Sequence, residues 1–419
     1  MLQLSPKMNR DKDPSPPEYD LFSPQFKADP FPTFAAMRQD APIYGHVARN
    51  GSTIWYITRY DDVLEVLRDN ERFVKDVRRT LLPEELKRKR PSTLSQRLIN
   101  ENMLFADPPD HTRLRALVNQ AFTPRRVEEN APRVQAIADD LIDRVAAARQ
   151  MDLIAEFALP LPTIVITDLL GIPAADRELV ADLSQAIIAP GRHGLTFSAR
   201  KRKVRAFVAY LQELFAERQR RPQDDLISAL VGAEEAGERL NPAELSSMVA
   251  LLLVTGHETT VNLIGNGVLA LLRHPDQLAR VKEGDEKGVE TAVEELLRFD
   301  GPVETSTTRW VRRDMVYKGH PMRRGDVVRV VLASANRDES QFAEADTLDV
   351  CRSSGRHLAF GHGIHYCLGA PLARLEGKIA LQTLFGRLPN LRTAVHPAEL
   401  SWRSGVLFRG LERLPLAWD

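Results

Sequence analysis

The chain is poor in cysteine, with only Cys351 and Cys367 in 419 residues. That excludes a disulfide framework and any four-thiolate zinc or iron–sulfur site within the chain, so a cysteine that matters here acts singly. It has no charge of one sign to spare: 57 basic residues balance 57 acidic ones, and no global field favours nucleic acid or acidic partners. Any electrostatic argument is therefore local. The segment MLQLSPKMNRDKDPSPPEYD lacks the apolar stretch of a signal peptide or membrane anchor, which leads to the expectation of a soluble, cytoplasmic protein. Its charges and Pro14, Pro16 and Pro17 cannot repay the cost of ordering, so residues 1–20 are expected to form a disordered tail. There is no Gly-rich dinucleotide fingerprint, internal repeat or Gly/Ser linker, and residues 21–419 are expected to form one domain.

What is present is ordinary globular material, 43% hydrophobic and 27% charged, enough for a sizeable core. The stretch IYGHVARNGSTIWYIT predicts two short strands around Asn50-Gly51, a pair suited to the positive φ angles of a tight hairpin. From Tyr60 to about Lys282, apolar residues recur three and four apart, as in VQAIADDLIDRVAAA and VRAFVAYLQELFAER, and predict helices. Short strands return between about Thr308 and Leu332, a helix follows Cys367, and the last thirty residues suggest short β pieces. The fold class is mainly α with minor β.

One predicted helix is unusual. Asn241 is a good N-cap, Pro242 fits the first helical position, Glu244 completes a capping box, and Pro275 ends the pattern. Residues 242–273 would span about 48 Å at 1.5 Å per residue. A helix this apolar crosses the middle of a fold rather than its surface. Yet Thr255, Gly256, His257, Glu258, Thr259 and Thr260 interrupt it at its midpoint, and buried polar groups are costly unless partnered. Two readings remain open. Thr259 bonds back to the Thr255 carbonyl and Glu258 finds a basic partner; or the island borders a cavity, where an acid and an alcohol supply protons and Gly256 lets a ligand approach the backbone.

Near the C-terminus stands Phe360-Gly361-His362-Gly363-Ile364-His365-Tyr366-Cys367-Leu368-Gly369, followed by the helical APLARLEGKIALQTLF. Cys367 therefore sits at a helix entrance, where backbone N–H groups stabilise a thiolate, the form that binds metal. The flanking glycines remove side chains, so that a flat cofactor can lie against the loop. As an ordered set these residues resemble the heme-binding loop of the cytochrome P450 family, F-G-x-G-x-H-x-C-x-G, with no position missing. The polar island resembles that family's oxygen-activation motif, Glu295-Leu296-Leu297-Arg298 its E-x-x-R motif, and Asp110-His111-Thr112-Arg113-Leu114-Arg115 its H-x-x-x-R segment. The four follow the family's order, and similar stretches run from about Asp29 to the terminal GLERLPLAW.

The resemblance implies a P450 fold, with the long helix over a buried heme b, and a monooxygenase that inserts one oxygen atom into an apolar or amphipathic small molecule. Cys367 would be the axial thiolate, and Glu258 and Thr259 the acid–alcohol pair that delivers protons. His111, Arg115, Arg309 and His365 would meet the heme propionates. Phe360, Gly361, Gly369, Thr255 and Gly256 would border the heme, while Glu295 and Arg298 would brace the chain beneath it. Electrons would come from a ferredoxin or flavodoxin with its reductase, docking on the Cys367 side near Arg113, Arg125, Arg126 and Arg374. Polyketide or macrolide tailoring is the favoured role, with fatty-acid, terpene or steroid hydroxylation, a peroxide-using peroxygenase and a non-catalytic heme-thiolate sensor as alternatives.

Three departures from the family pattern stand out. Thr255 replaces the usual alanine, Trp310-Val311 follows Arg309 where small residues are commoner, and Ala345-Asp346-Thr347-Leu348 occupies the place of Pro-x-Arg-Phe. The arginine that normally joins the E-x-x-R pair is thus missing, with Arg352 and Arg356 as candidate substitutes. The basic runs Lys87-Arg88-Lys89-Arg90 and Arg200-Lys201-Arg202-Lys203 with Arg205 lie, by resemblance, at the substrate entrance. They raise the expectation of an anionic substrate or an acyl group on an acidic carrier protein.

Overall fold

The computed structural model describes residues 18–48, 51–88, 91–188, 196–234, 237–353 and 356–419. Most of the expected tail, Asn50, and the Lys89-Arg90 half of the first basic run lie outside them.

The central helix runs Pro242–Arg273, as its sequence signals predict. Asn241 Oδ1 accepts from the Ala243 and Glu244 amides, and Glu244 Oε2 accepts from the Asn241 amide, so the capping box closes. By length and composition this helix could cross a membrane, but its most apolar stretch is largely buried in the protein. Around it pack Pro160–Leu170, Leu94–Asn100, Glu286–Asp300 and Ala370–Arg387. The helical core they share includes Phe157, Ile166, Leu253, Val261, Leu296 and Leu372.

Sheet structure is minor and divided among three small sheets. A five-stranded sheet has the order Ile43–Val47, Thr53–Ile57, Val327–Val330, Arg309–Val311, Phe73–Val74. The first two strands pair antiparallel, Ile43 opposite Ile57, as the sequence predicted for this hairpin. Thr53–Ile57 then pairs parallel with Val327–Val330, which joins the N-terminal hairpin to strands almost three hundred residues later. The terminal strand Pro415–Ala417 pairs with Gln150–Asp152 and Arg392–Thr393.

Candidate heme-thiolate site

Backbone geometry builds the cysteine loop. Gly361 and Gly363 take φ values of +71° and +75°, a region that side chains disfavour. A Cβ on Gly363 would also lie 2.9 Å from the Leu67 carbonyl, so this glycine serves the packing of the loop on helix Tyr60–Arg68 rather than contact with a flat ligand. The Cys367 amide donates to the Phe360 carbonyl at 3.0 Å and closes the loop. Cys367 is surrounded by protein, yet its side chain is open, because it faces an interior cavity. Burial pushes its thiol up from the ordinary value, while the amides of Gly369 and Ala370 and the charges of Arg115 and Arg374 pull it down. The helix that follows, Ala370–Arg387, thus points its first amides at the sulfur.

The cavity has an interior of about 270 Å³. One wall is the cysteine loop, with Phe360, Gly361 and Gly369. Facing it is the midpoint of the central helix, with Thr255, Gly256, Thr259 and Thr260. Leu251, Leu252, Ile166, Val303, Leu407 and Phe408 give the remaining space an apolar lining.

Both readings of the polar island hold in part. Thr259 Oγ1 donates to the Thr255 carbonyl at 3.1 Å, and Thr255 Oγ1 to the Leu251 carbonyl at 2.8 Å, while both residues line the cavity. Glu258 does not line it. Its carboxylate is gripped by Arg403, from the loop before the last strand, so the acid of the expected pair is directed to a salt bridge. Gly256 lines the cavity and also serves packing: a Cβ there would meet Ile166 Cγ1 at 3.0 Å, so its missing side chain admits helix Pro160–Leu170.

The third wall is cationic. His111, Arg115, Arg309 and His365 all line the cavity, joined by Lys75, which the sequence reading missed. The His111 and His365 rings lie 4.4 Å apart. Both ring nitrogens of His111, Nε2 of His365 and Nε of Arg309 are buried without a hydrogen-bond partner. Burial holds Arg309 down to about 10 and Lys75 well below its ordinary value. His365 is pushed far down by burial and by the neighbouring charges of Lys75, Arg309, His111 and Arg115. Five groups able to carry positive charge and four unpartnered nitrogens, among them at least the Arg309 donor, converge on one space. Anionic acceptors complete such an arrangement. Lys75 Nζ donates to the Thr307 and Thr308 carbonyls at 3.1 and 3.3 Å, and its amide is held by Asp107. Nothing in the local sequence FVKDV separates it from a solvated lysine.

Beneath the loop, Glu295 and Arg298 form a bidentate pair, both contacts 2.7 Å and both side chains wholly buried. The missing third member is supplied by Arg352, whose Nε donates to Glu295 Oε1 at 3.1 Å. Arg356 instead offers its carbonyl to the Tyr60 hydroxyl.

A thiol facing an enclosed space across from a threonine pair, with a wall of unpaired donors at its side, is the arrangement that the motif order implied. Residues 25–389 match the family profile described as Cytochrome P450. The chain belongs to the cytochrome P450 family. It is 44% identical over 398 residues to the polyketide biosynthesis cytochrome P450 PksS of Bacillus subtilis (strain 168), covering 94% of this chain and 96% of PksS. The solved structure of PksS superposes with a TM-score of 0.88, covering 96% of this chain and all of that one at 40% identity. The cytochrome P450 monooxygenase PikC of Streptomyces venezuelae is 43% identical over 96% of this chain and 95% of its own. The structure of P450BioI in complex with hexadec-9Z-enoic acid ligated acyl carrier protein matches with a TM-score of 0.82 at 37% identity, over 94% of this chain and 99% of that one. The protein is a heme-thiolate monooxygenase with the P450 fold, and its cofactor is heme b. The residues present fit that group: the unpartnered nitrogens of His111, His365 and Arg309 match a need for two carboxylates beside the Cys367 thiol.

The four arginines expected to receive a redox partner are engaged internally. Arg113 pairs with Glu244 and Glu238, Arg125 with Glu129, Arg126 with Asp224, and Arg374 with Glu294. Sequence reasoning also missed Arg403 and Glu376. No local signal marks Glu376, which stands between Arg374 and Lys378 as a solvated helical acid would.

Proposed function

We propose that this P450 hydroxylates or epoxidises an apolar or amphipathic small molecule of polyketide type in specialised metabolism; its relative PksS is named for polyketide biosynthesis, and PikC as a monooxygenase. The observation that carries the reading is the Cys367 thiol sharing one apolar-lined cavity with Thr255 and Thr259. In this reading Cys367 would hold the heme iron through its thiolate, and His111, Arg115, Arg309, His365 and Lys75 would meet the propionates. Bound heme supplies activation of dioxygen and the oxidation of an unreactive C–H or C=C bond. The chain's own work is different. Leu251, Leu252, Val303, Leu407 and Phe408 exclude water and hold the substrate by apolar contact. Thr259 presents a hydroxyl to the cavity, and Glu258, once it leaves Arg403 and takes a proton from water, passes that proton on to it. Glu295, Arg298 and Arg352 fix the chain beneath the loop.

Electrons come, in this proposal, from a ferredoxin or flavodoxin with its reductase in the cytoplasm. The substrate reaches the mouth as an anion or on an acidic carrier. Exposed Lys87, Arg88, Lys201, Arg202 and Arg205 support that part, as does the acyl-carrier complex of P450BioI. Lys203 is already paired with Asp182.

The test is the absorption spectrum of the dithionite-reduced protein under carbon monoxide, alongside Cys367→His. A long-wavelength Soret band lost in the variant is expected, followed by spin-state shifts on titration with carrier-bound and free acyl or macrolide substrates. A short-wavelength band in both proteins would overturn the assignment.

A further inference from the structure

Arg374 was expected to receive a redox partner, yet it is held against the cysteine loop from behind. It does not line the cavity, so it is no partner for a propionate. From helix Ala370–Arg387 its guanidinium lies over the Phe360 ring, 4.4 Å from the centroid, and Nη1 donates to the Tyr366 hydroxyl at 3.4 Å. Phe360 and Tyr366 both line the cavity beside Cys367, and the Phe360 carbonyl accepts from the Cys367 amide. Glu294, on helix Glu286–Asp300, fixes the other side of the guanidinium by accepting from Nε at 2.6 Å and Nη2 at 2.9 Å. The same carboxylate meets His357 Nε2 at 3.1 Å, and the Ala359 amide donates to His357 Nδ1, which turns the ring's N–H toward the acid. Burial alone would raise the Glu294 carboxyl, but His357 and Arg374 hold it down to about 2, so it stays ionised.

The pair is therefore oriented, with its cationic end against the loop and its anionic end turned to the neighbouring helix. Together with Arg115, Arg374 favours the thiolate form of Cys367, so its charge is felt at the sulfur. Stability alone does not account for the arrangement, because an ion pair with 37% and 28% of its side chains exposed adds little to a fold. We propose that Arg374 sets the reduction potential of iron held at Cys367, and that Glu294 sets how much of the Arg374 charge the iron feels. One-electron reduction by the ferredoxin or flavodoxin of the proposed function forms and breaks no bond and adds one negative charge at the thiolate-bound iron. A fixed cation pinned on Phe360 favours that added charge, and the carboxylate behind it opposes it.

The inference rests on the proposed function for the heme, and its test separates the two. Spectroelectrochemical titration of the heme-loaded full-length protein, with mediator dyes at fixed ionic strength, compares wild type with Arg374→Met, Glu294→Gln and the double variant. Arg374→Met should shift the reduction equilibrium toward ferric iron by about threefold to tenfold, tenfold being ~59 mV for one electron. Glu294→Gln leaves the cation uncompensated and should shift it the opposite way, and the double variant should return toward wild type. Arg374→Lys keeps the charge and loses the planar fork, and should lie nearer wild type than Arg374→Met. Arg387→Met, ~20 Å along the same helix, should leave the potential unmoved. A merely structural role would move both single variants in the same direction. That result, or unmoved potentials in variants that keep the long-wavelength carbon monoxide band, would overturn the inference alone, whereas absence of that band in wild type would overturn the proposed function and this inference with it. If Arg374→Met does not fold, Glu294→Gln decides: a raised potential supports the role, and an unchanged or lowered one refutes it.

Discussion

Removing Arg352 tests whether the triad beneath the cysteine loop has been rebuilt from a different position of the chain. Glu295 is wholly buried and takes four hydrogen bonds: two from Arg298, one from Arg352 Nε and one from the Asp349 amide. Arg298 also donates to the Asn336, Ala345 and Thr347 carbonyls at 2.7–3.0 Å, so it ties three parts of the chain to one carboxylate. Arg298→Ala strips Glu295 of its bidentate partner inside the protein, a loss of the kind that costs about 3–5 kcal/mol. Arg352 is less buried, with 15% of its side chain exposed, and its bonds to the Ala343, Glu344 and Thr347 carbonyls lie where water can replace it. Arg352→Ala should therefore cost about 2 kcal/mol, the worth of one charge-assisted hydrogen bond.

For 419 residues the unfolding entropy is about 0.9 kcal/mol/K, so these losses lower Tm by only about 2 °C for Arg352→Ala and about 4 °C for Arg298→Ala. Urea denaturation of the holoprotein, followed by circular dichroism and checked for reversibility, resolves them better than melting. Because both arginines share Glu295, the double variant should depart from additivity by more than 0.5 kcal/mol. Additive losses, or a cost for Arg352→Ala equal to that of Arg298→Ala, would refute the shared-carboxylate account.

Two further outcomes follow from the site. Gly363→Ala places a Cβ at φ +75° and 2.9 Å from the Leu67 carbonyl, and should cost about 2 kcal/mol or more in urea titrations while leaving the carbon monoxide Soret position unchanged; a shifted band with intact stability would return this glycine to a heme contact. Glu376 is raised from 4.5 to about 8 by burial, so between those values the folded state binds the extra proton, and stability falls with rising pH by up to about 1.4 kcal/mol per unit. Glu376→Gln removes that slope, and the variant should gain on wild type as heme-free samples are taken from pH 5 to pH 8; parallel stability curves would show that this carboxyl ionises freely.

Some of this was legible in the chain and some was not, and the dividing line is physical. The central helix could be bounded to the residue because its start and stop are written in local chemistry: the Asn241–Glu244 box and Pro275 act within one turn of themselves. The cysteine loop was legible because its ordered residues form a pattern recognisable without knowing what packs on them. Side-chain direction was not. Glu258 and Thr259 are adjacent, so the pattern could not say that one would face the cavity and the other Arg403, a residue 145 positions away. The glycines were read for their flexibility, but two of them, Gly256 and Gly363, are required by Ile166 and the Leu67 carbonyl, contacts that only the tertiary fold creates.

The same reasoning explains why Lys75 and Glu376 were invisible. A lysine and a glutamate are ordinarily solvated, and nothing beside them in sequence removes the water. Their burial is imposed by segments remote in the chain, Thr307 and Thr308 against Lys75 and the central helix against Glu376. Each then occupies a place where the fold gains nothing from its charge. Lys75 stands among like charges that push one another's protons off, and Glu376 lacks any hydrogen-bond partner. A fold selected for stability alone would replace both with apolar residues. The cationic wall therefore belongs to a state of the protein in which the cavity holds negative charge at one end, which is the state that a heme-dependent oxygenation requires.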